Sequence, residues 1–246
     1  MTDTEKYQKA LEHLDELIKL FPDIGSYYLQ RGIAYAKLEK YDEAVADCTK
    51  AIELNPNDSA AYYNRGSAYA LLQNYSEAIS DYTKAIELNP NDSKAYFYRG
   101  NAYAKLEKYD EAVADYTKAI ELNPNDSLAY YNRGVAYAEL KKYDVAVADY
   151  TKAIELNPDY LDAYKNRELV YKKLKKSAES KSKESEQSQS IVSKVTKNKK
   201  TKRKSRSSYE SLDIPFGHYH DSDNGLVWDD DGNCMPSAYY DRDFDW

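Results

Sequence analysis

The residues that could carry out acid–base chemistry are few and scattered along the chain. Its 246 residues include three histidines, His13, His218 and His220, and two cysteines, Cys48 and Cys234. No nucleophile and base recur together, and no glycine-rich loop is present to hold a phosphate. We therefore predict no catalytic residue and no cofactor, and enzyme activity is the alternative class of function.

Metal-binding residue types occur near the C-terminus, but without the spacing of a metal site. His218, His220, Asp221 and Cys234 are zinc-ligand types whose spacing matches no closed zinc pattern. The run DSDNG at 221–225 lacks the later acidic ligand that a calcium loop requires. The sequence therefore predicts no bound metal.

A basic run, KNKKTKRKSR at 197–206, is the densest group of charges. It is typical of a nuclear import signal, for which the candidate residues are Lys199, Lys200, Lys202, Arg203 and Lys204. The alternative is a solvated linker that attracts polyanions such as nucleic acid without specificity. The surrounding segment 177–208 has only three apolar residues larger than alanine and is predicted to be disordered. The next segment, 209–246, is acidic and aromatic, with ten Asp and Glu against one Arg. It resembles an amphipathic disordered interaction segment, so the C-terminal tail as a whole is predicted to be largely disordered.

Upstream of these segments, the sequence repeats with a period of 34 residues, without insertion or deletion. A period of this length indicates stacked units of supersecondary structure. The column of glycines consists of Gly32, Gly66, Gly100 and Gly134. The column of closing prolines consists of Pro56, Pro90, Pro124 and Pro158. Small residues such as Gly66 and Ala78 are predicted where the two helices of one unit approach closely.

Each unit is predicted to be a helix–turn–helix hairpin. Apolar residues follow a spacing of three and four in both halves, as with Tyr62, Gly66 and Tyr69 in the first half of 59–92. Pro90 ends the second helix because the residue before a proline avoids helical dihedral angles. One hairpin cannot bury both of its faces, so neighbouring hairpins must stack to form a core.

These columns resemble the tetratricopeptide repeat family, and the match covers residues 25–160. The shared pattern is a bulky residue, Gly and Tyr in the first helix, Ala-x3-Tyr-x2-Ala in the second, and the closing Pro. The resemblance implies an all-α, right-handed solenoid that acts as a scaffold for protein interactions. Two departures stand out: Cys48 replaces the second-helix tyrosine, and an arginine precedes each glycine where the family favours an apolar residue.

The repeat register predicts eight segments along the chain. They are an N-terminal half-repeat that caps the array (1–24), four repeats (25–58, 59–92, 93–126 and 127–160), a C-terminal solvating helix (161–176), the basic linker (177–208) and the acidic tail (209–246). For the first segment, the alternative is an array that has lost its first helix and exposes a groove edge.

The resemblance also implies a peptide-binding groove, formed by first-helix positions that recur in every repeat. In this chain those positions are aromatic and rich in amides, with few charges. We predict that the groove includes Tyr63, Asn64, Lys94, Phe97, Tyr98, Asn101, Tyr131 and Asn132. Asparagine can donate to and accept from a peptide backbone, and tyrosine offers rigid apolar contact. The alternative is that repeat amplification copied these residues without selection for a ligand.

Family members that bind the acidic C-termini of chaperones use a five-residue carboxylate clamp, which can be tested here in two registers. The first register reads Leu29, Ile33, Asn64, Lys94 and Tyr98, and only Asn64 and Lys94 match. The second reads Phe97, Asn101, Asn132, Asp162 and Asn166, and two of the five match. The incomplete clamp disfavours a co-chaperone and favours another peptide or protein partner. A further alternative is that the acidic tail occupies the groove of its own chain.

A ladder of arginines and a ladder of aspartates run through the array at the repeat period. The arginines are Arg31, Arg65, Arg99, Arg133 and Arg167, and the aspartates are Asp47, Asp81, Asp115 and Asp149. The arginines alone suggest a track for phosphate or nucleic acid. Because each ladder can neutralise the other, we predict structural ion pairs instead.

The composition of the chain indicates the cellular compartment in which we expect the protein. No apolar run is long enough to span a membrane, no charged-then-apolar leader follows Met1, and two cysteines do not form a disulfide framework. We therefore expect a cytoplasmic protein without a membrane partner, or a nuclear one if the basic run acts as an import signal.

Overall fold

The structure is a computed structural model that describes residues 2–176, 179–180, 194, 226–228 and 234–236. The chain divides into two units, Met1–Ser182 and Lys183–Trp246. The first unit consists of antiparallel helices in which each helix packs on the next along the chain. The predicted all-α solenoid is confirmed for this unit.

The helices alternate between first and second members of a hairpin. They are α1 (Asp3–Leu20), α2 (Gly25–Lys37), α3 (Tyr41–Leu54), α4 (Ser59–Leu71), α5 (Tyr75–Leu88), α6 (Ser93–Lys105), α7 (Tyr109–Leu122), α8 (Ser127–Glu139) and α9 (Tyr143–Leu156). Residues 161–176 are also helical and correspond to a first helix. We refer to them as the terminal helix.

Local sequence signals account for where the helices begin and end. The side chain of Asp58 caps α4 by accepting from the backbone N–H groups of Ala60 and Ala61. The first helix of this hairpin ends at Leu71, and Gln73, just after the C-cap, is left-handed with φ of 63°. The N–H of Asn74 then donates to the carbonyl of Tyr69 over 2.8 Å. This is the hydrogen bond that closes a Schellman turn.

Glycine in the first helix allows the two helices of a hairpin to approach closely. A Cβ atom on Gly66 would lie 3.2 Å from the carbonyl oxygen of Ala78, from Cβ of Asp81 and from Cδ1 of Tyr82. There is no space for a larger side chain unless a neighbour moves. The predicted close approach at Gly66 and Ala78 is confirmed.

Successive hairpins share small buried cores. Ala95, at the start of α6, packs against Ala85 and Ile86 of α5, and all three are buried. Across the stack, α2 contacts α4, α4 contacts α6 and α6 contacts α8. The first helices therefore lie side by side and form the inner side of the array.

The arginine and aspartate ladders pair within each hairpin, as predicted. Arg65 donates from Nε and Nη2 to the two carboxylate oxygens of Asp81, over 2.7 and 2.8 Å. The same fork–carboxylate contact recurs between Arg31 and Asp47, Arg99 and Asp115, and Arg133 and Asp149. The aspartates are buried, and the bond to Asp81 raises the pKa of Arg65. These arginines are therefore already paired and do not form a track for phosphate.

The second unit contributes a short antiparallel ladder within its described residues. Strands β1 (Leu226–Trp228) and β2 (Cys234–Pro236) pair with Val227 opposite Met235. The import signal at 197–206 lies outside the described residues. So do His218, His220 and Asp221, and most of the predicted linker and tail.

Candidate peptide-binding groove

All eight predicted groove residues are on first helices. Tyr63 and Asn64 belong to α4, Tyr131 and Asn132 belong to α8, and the other four belong to α6. Because these three helices are neighbours on the inner side, their side chains can form one continuous surface. The contacts among them divide that surface into an aromatic part and an amide part.

The aromatic part is a cluster of five rings, made of three predicted residues and two second-helix tyrosines. Tyr98 lies 5.9 Å from Tyr63, 5.2 Å from Phe97 and 6.3 Å from Tyr82, measured between ring centroids. Phe97 lies 5.9 Å from Tyr116. The rings of Tyr82 and Tyr116 are buried, whereas Tyr98 is 40% exposed. The cluster therefore joins the core of the array to its inner surface.

Burial raises the pKa of Tyr63 and Tyr82 in this cluster above the ordinary tyrosine value of about 10. It raises the pKa of Tyr63, and the nearby Tyr98 raises it further. Burial also raises the pKa of Tyr82 to about 12, although its hydrogen bond to Ser67 acts in the opposite direction. The hydroxyl of Tyr82 donates to Oγ of Ser67 over 3.1 Å. At neutral pH this part of the groove is uncharged and offers apolar rings with polar tips.

The amide part is a hydrogen-bonded pair of asparagines on adjacent first helices. Nδ2 of Asn132 donates to Oδ1 of Asn101 over 2.9 Å, and the hydroxyl of Tyr116 donates to the same oxygen over 2.8 Å. Among the described residues, Nδ2 of Asn101 and Oδ1 of Asn132 form no hydrogen bond. Both side chains are half-buried, so these two groups face solvent. The pair thus keeps one donor and one acceptor available.

An open cleft of about 470 Å³ lies beside this pair, between α6 and α8. Its lining comprises Asn101, Ala104, Lys105, Tyr109, Tyr116, Asn132, Val135, Ala136 and Glu139. Lys105 and Glu139 are exposed, and neither forms an ion pair within the described part of the chain. Of these nine residues, the sequence-based site included only Asn101 and Asn132. Lys105 and Glu139 could have been found together, because they lie one period apart in the same column.

The remaining predicted residues make other contacts. Nδ2 of Asn64 donates to the carbonyl of Ala60 in its own helix over 2.8 Å, and Lys94 is exposed. The hydroxyl of Tyr131 accepts from Asn166 over 2.9 Å. Tyr131 also packs on Tyr150 and Tyr160 in a second aromatic cluster. None of these three predicted residues lines the cleft.

The described part of the chain contains neither a metal-binding cluster nor a membrane-spanning helix. No three or more His, Cys, Asp or Glu side chains are grouped there so as to hold a metal ion. Of the helices that the structure describes, none has both the length and the apolar character needed to cross a membrane.

Comparison with known families identifies the repeat. A family model described as the tetratricopeptide repeat matches residues 26–58, 59–92, 93–126 and 127–160, more than half of the chain. The chain belongs to the tetratricopeptide repeat family. A search of curated proteins gave no match.

Solved structures of other tetratricopeptide repeat proteins have the same architecture. One is similar to this chain at 28% identity with a TM-score of 0.60, covering 67% of this chain and 84% of its own, and is titled "Crystal structure of YrrB: a TPR protein with an unusual peptide-binding site". A crystal structure of MamA has 26% identity and a TM-score of 0.60, covering 66% of this chain and 98% of its own. MamA from Desulfovibrio magneticus RS-1 also has 26% identity and a TM-score of 0.60, over 63% of this chain and 87% of its own.

Proposed function

We propose that this tetratricopeptide array is a non-catalytic scaffold that binds an extended peptide segment of a partner protein along the inner side of its first helices. Its family and its likeness to a peptide-binding relative support a protein-interaction scaffold in general. The groove geometry supports the narrower proposal, and the asparagine pair is the observation that carries it.

The asparagine pair offers the two groups that an extended backbone requires. Nδ2 of Asn101 can donate to a peptide carbonyl, while Oδ1 of Asn132 can accept from a peptide N–H. The bond between the two amides, 2.9 Å long, holds both in one orientation. Because this orientation exists before a ligand arrives, binding costs less side-chain entropy than with two free amides.

The aromatic cluster next to this pair is suited to an apolar side chain of the peptide. Tyr98 remains 40% exposed, while Tyr63 and Phe97 support it from both sides. Covering the exposed part of one tyrosine ring stabilises a complex by about 2 kcal/mol. The cluster can therefore act as an anchor, with the amide pair setting the direction of the chain.

Charges at the cleft disfavour a strongly acidic ligand. Lys105 is the only cation in the lining, and Glu139 is an anion in the same lining. A carboxylate clamp requires several cations and amides that converge on one site. We therefore propose a peptide of low or mixed charge rather than the acidic tail of a chaperone.

The test is affinity capture with the full chain, followed by mass spectrometry. Tyr98→Ala combined with Asn132→Ala removes one element from each part of the groove, and Val145→Ala removes an exposed side chain from α9, outside the cleft, as a control. We expect a reproducible partner that is retained by the control and lost by the double variant. Peptides tiling that partner should then bind roughly tenfold or more weakly to the double variant. Capture of the same partners by both variants, with unchanged peptide affinity, would show that the groove is not the binding site.

A further inference from the structure

Each first helix of the array has one face that its own second helix covers. In the second repeat this face includes Tyr62, Arg65 and Gly66. The ring of Tyr62 stacks under the Arg65 guanidinium at 5.7 Å, Arg65 bonds to Asp81, and Gly66 contacts Tyr82. In each of the four hairpins the second helix contributes a carboxylate, and in the second, third and fourth repeats it also contributes a tyrosine ring.

The terminal helix carries the same face without that cover. Tyr164, Arg167, Glu168 and Tyr171 are in the columns of Tyr62, Arg65, Gly66 and Tyr69. Tyr164 is 40% exposed and Tyr171 is 51% exposed. Among the described residues, nothing packs over these rings in the way that a second helix does elsewhere. We call this surface the end face.

Arg167 keeps only part of the contact set of its column. Nη1 donates to Oγ1 of Thr151 over 3.2 Å, as Arg133 does to Thr117, and the guanidinium lies 5.5 Å from the ring of Tyr164. In the described part of the chain no carboxylate accepts from its Nε and Nη2. Within the described residues, the guanidinium is therefore positioned by two neighbours, and one side of its fork has no partner.

The sequence that follows the terminal helix does not continue the second-helix pattern. One period after Asp149 and Tyr150, positions 183 and 184 are Lys and Glu. A lysine in the aspartate column would bring a second cation toward Arg167, and a glutamate in the tyrosine column would place a charge among apolar residues. These two substitutions favour a ligand from a partner protein for the end face.

We propose that the end face binds an amphipathic helix of a partner protein, which presents a carboxylate to Arg167 and a small residue to Glu168. The carboxylate follows from four pairs within the array, where an arginine in this column receives an aspartate from a helix in that position. Exposed lysines on the terminal helix add positive charge and favour an acidic partner. They are Lys165, Lys172, Lys173, Lys175 and Lys176.

Glu168 determines how large a partner residue can be where it packs against the end face. It replaces the glycine whose added Cβ would lie 2.9 Å from Cε1 of Tyr150 in the preceding repeat. Its carboxylate is held by Nζ of Lys172 over 2.6 Å, along the exposed surface of the terminal helix. A partner helix with tyrosine at this point would clash with the Glu168 side chain, whereas alanine or glycine would leave space. The end face should therefore reject the array's own tyrosine-bearing second helices.

The array contains a matched pair of probes for this proposal. The second helices Tyr41–Leu54 and Tyr109–Leu122 have identical sequences except for Cys48 in place of Tyr116. We would synthesise both 14-residue sequences as fluorescent peptides, with alanine replacing the cysteine in the first. Binding to the full chain is measured by fluorescence anisotropy.

We expect the alanine peptide to bind the unmodified chain roughly tenfold or more tightly than the tyrosine peptide. Glu168→Gly should remove most of that preference. Arg167→Gln should weaken the alanine peptide roughly tenfold or more, because the charge-assisted fork contact is lost. The control Lys165→Gln removes an equal charge from another face of the same helix and should change the affinity less than about threefold.

A third peptide makes the test independent of the fold of any variant. It replaces the aspartate corresponding to Asp47 with asparagine, and it should bind the unmodified chain roughly tenfold more weakly. Equal affinity of the aspartate and asparagine peptides would overturn the proposal. An affinity that does not respond to Arg167→Gln, or a complete lack of binding, would overturn it as well.

Discussion

Replacing Asp115 with asparagine tests whether the ladder of ion pairs holds the array together. Asp115 is buried at 5% exposure and accepts two bonds of 2.7 Å from Nε and Nη2 of Arg99. Arg99 also donates to Thr83 over 3.0 Å and stacks on Tyr96. Asp115→Asn keeps the shape of the side chain but removes its charge and one of its two acceptors.

The expected loss of free energy of unfolding follows from the burial of the Arg99–Asp115 ion pair. Removing one partner of a buried ion pair costs about 3–5 kcal/mol, because the other charge is left uncompensated. The side chain of Arg99 is 17% exposed, and asparagine can still accept one bond, so part of this cost is recovered. We therefore expect Asp115→Asn to lower the free energy of unfolding by about 2–3 kcal/mol.

Asp110→Asn, in the same helix, is the matched control. Asp110 is 73% exposed and pairs with Lys142 over 3.3 Å on the surface. A surface pair of this kind contributes at most about 0.5 kcal/mol. Both variants thus replace an aspartate of α7 with asparagine, and they differ mainly in how deeply that aspartate is buried.

Urea unfolding followed by far-UV circular dichroism measures both variants. Because repeats unfold with nearest-neighbour coupling, the transition midpoint and its slope should be compared together. A loss for Asp115→Asn within about 0.5 kcal/mol of that for Asp110→Asn would refute the reasoning. The arginine ladder would then not be committed to structure, and its guanidinium groups would again be candidates for ligand binding.

Three further predictions concern the core. Gly100→Ala should destabilise the array by about 1–3 kcal/mol in urea unfolding, because its Cβ would lie 2.8 Å from Cε1 of Tyr116. Stability should fall as pH rises from about 10 to about 12, because unfolded tyrosine ionises near 10 while burial raises the pKa of Tyr82 to about 12; alkaline titration by tyrosinate absorbance checks this. In a Cys234→Ser background, native Cys48 should resist thiol reagents until the array unfolds, because it is buried and its pKa is raised to about 12.

The fold could be predicted from the sequence because the packing constraints recur at a fixed period. Gly66 and Ala78 are among the smallest residues of their helices, so the close approach of the two helices at this point could be predicted from residue size. The pairing of Arg65 with Asp81 also follows, since both columns run through the whole array and neither can be buried without a partner. The pairing of strands β1 and β2 was not predictable, because no repeated pattern marks them.

The sequence predicted which helices carry the candidate groove residues, but it did not predict their contacts. Tyr98 was placed on a first helix from its column alone, and the structure has it partly exposed on α6. The bond from Tyr116 to Asn101 was not predicted, because it depends on how far a core tyrosine reaches across its own hairpin. Asn64 was assigned to the groove, but its amide donates to its own helix at Ala60, a choice that the repeat period does not determine.

The residue type at one position of the repeat determines where the inner surface is polar. The second-helix tyrosines extend their hydroxyls toward the ninth residue of the first helix, where Tyr116 finds Asn101 and Tyr82 finds Ser67. In the fourth repeat this residue is Val135, which packs against the core around Tyr150 and cannot accept a hydrogen bond. The amide pair can therefore form only where an asparagine meets the next helix, which places it between α6 and α8. If the proposed function is correct, recognition along this array thus depends on a position that the stacking of helices leaves free to vary.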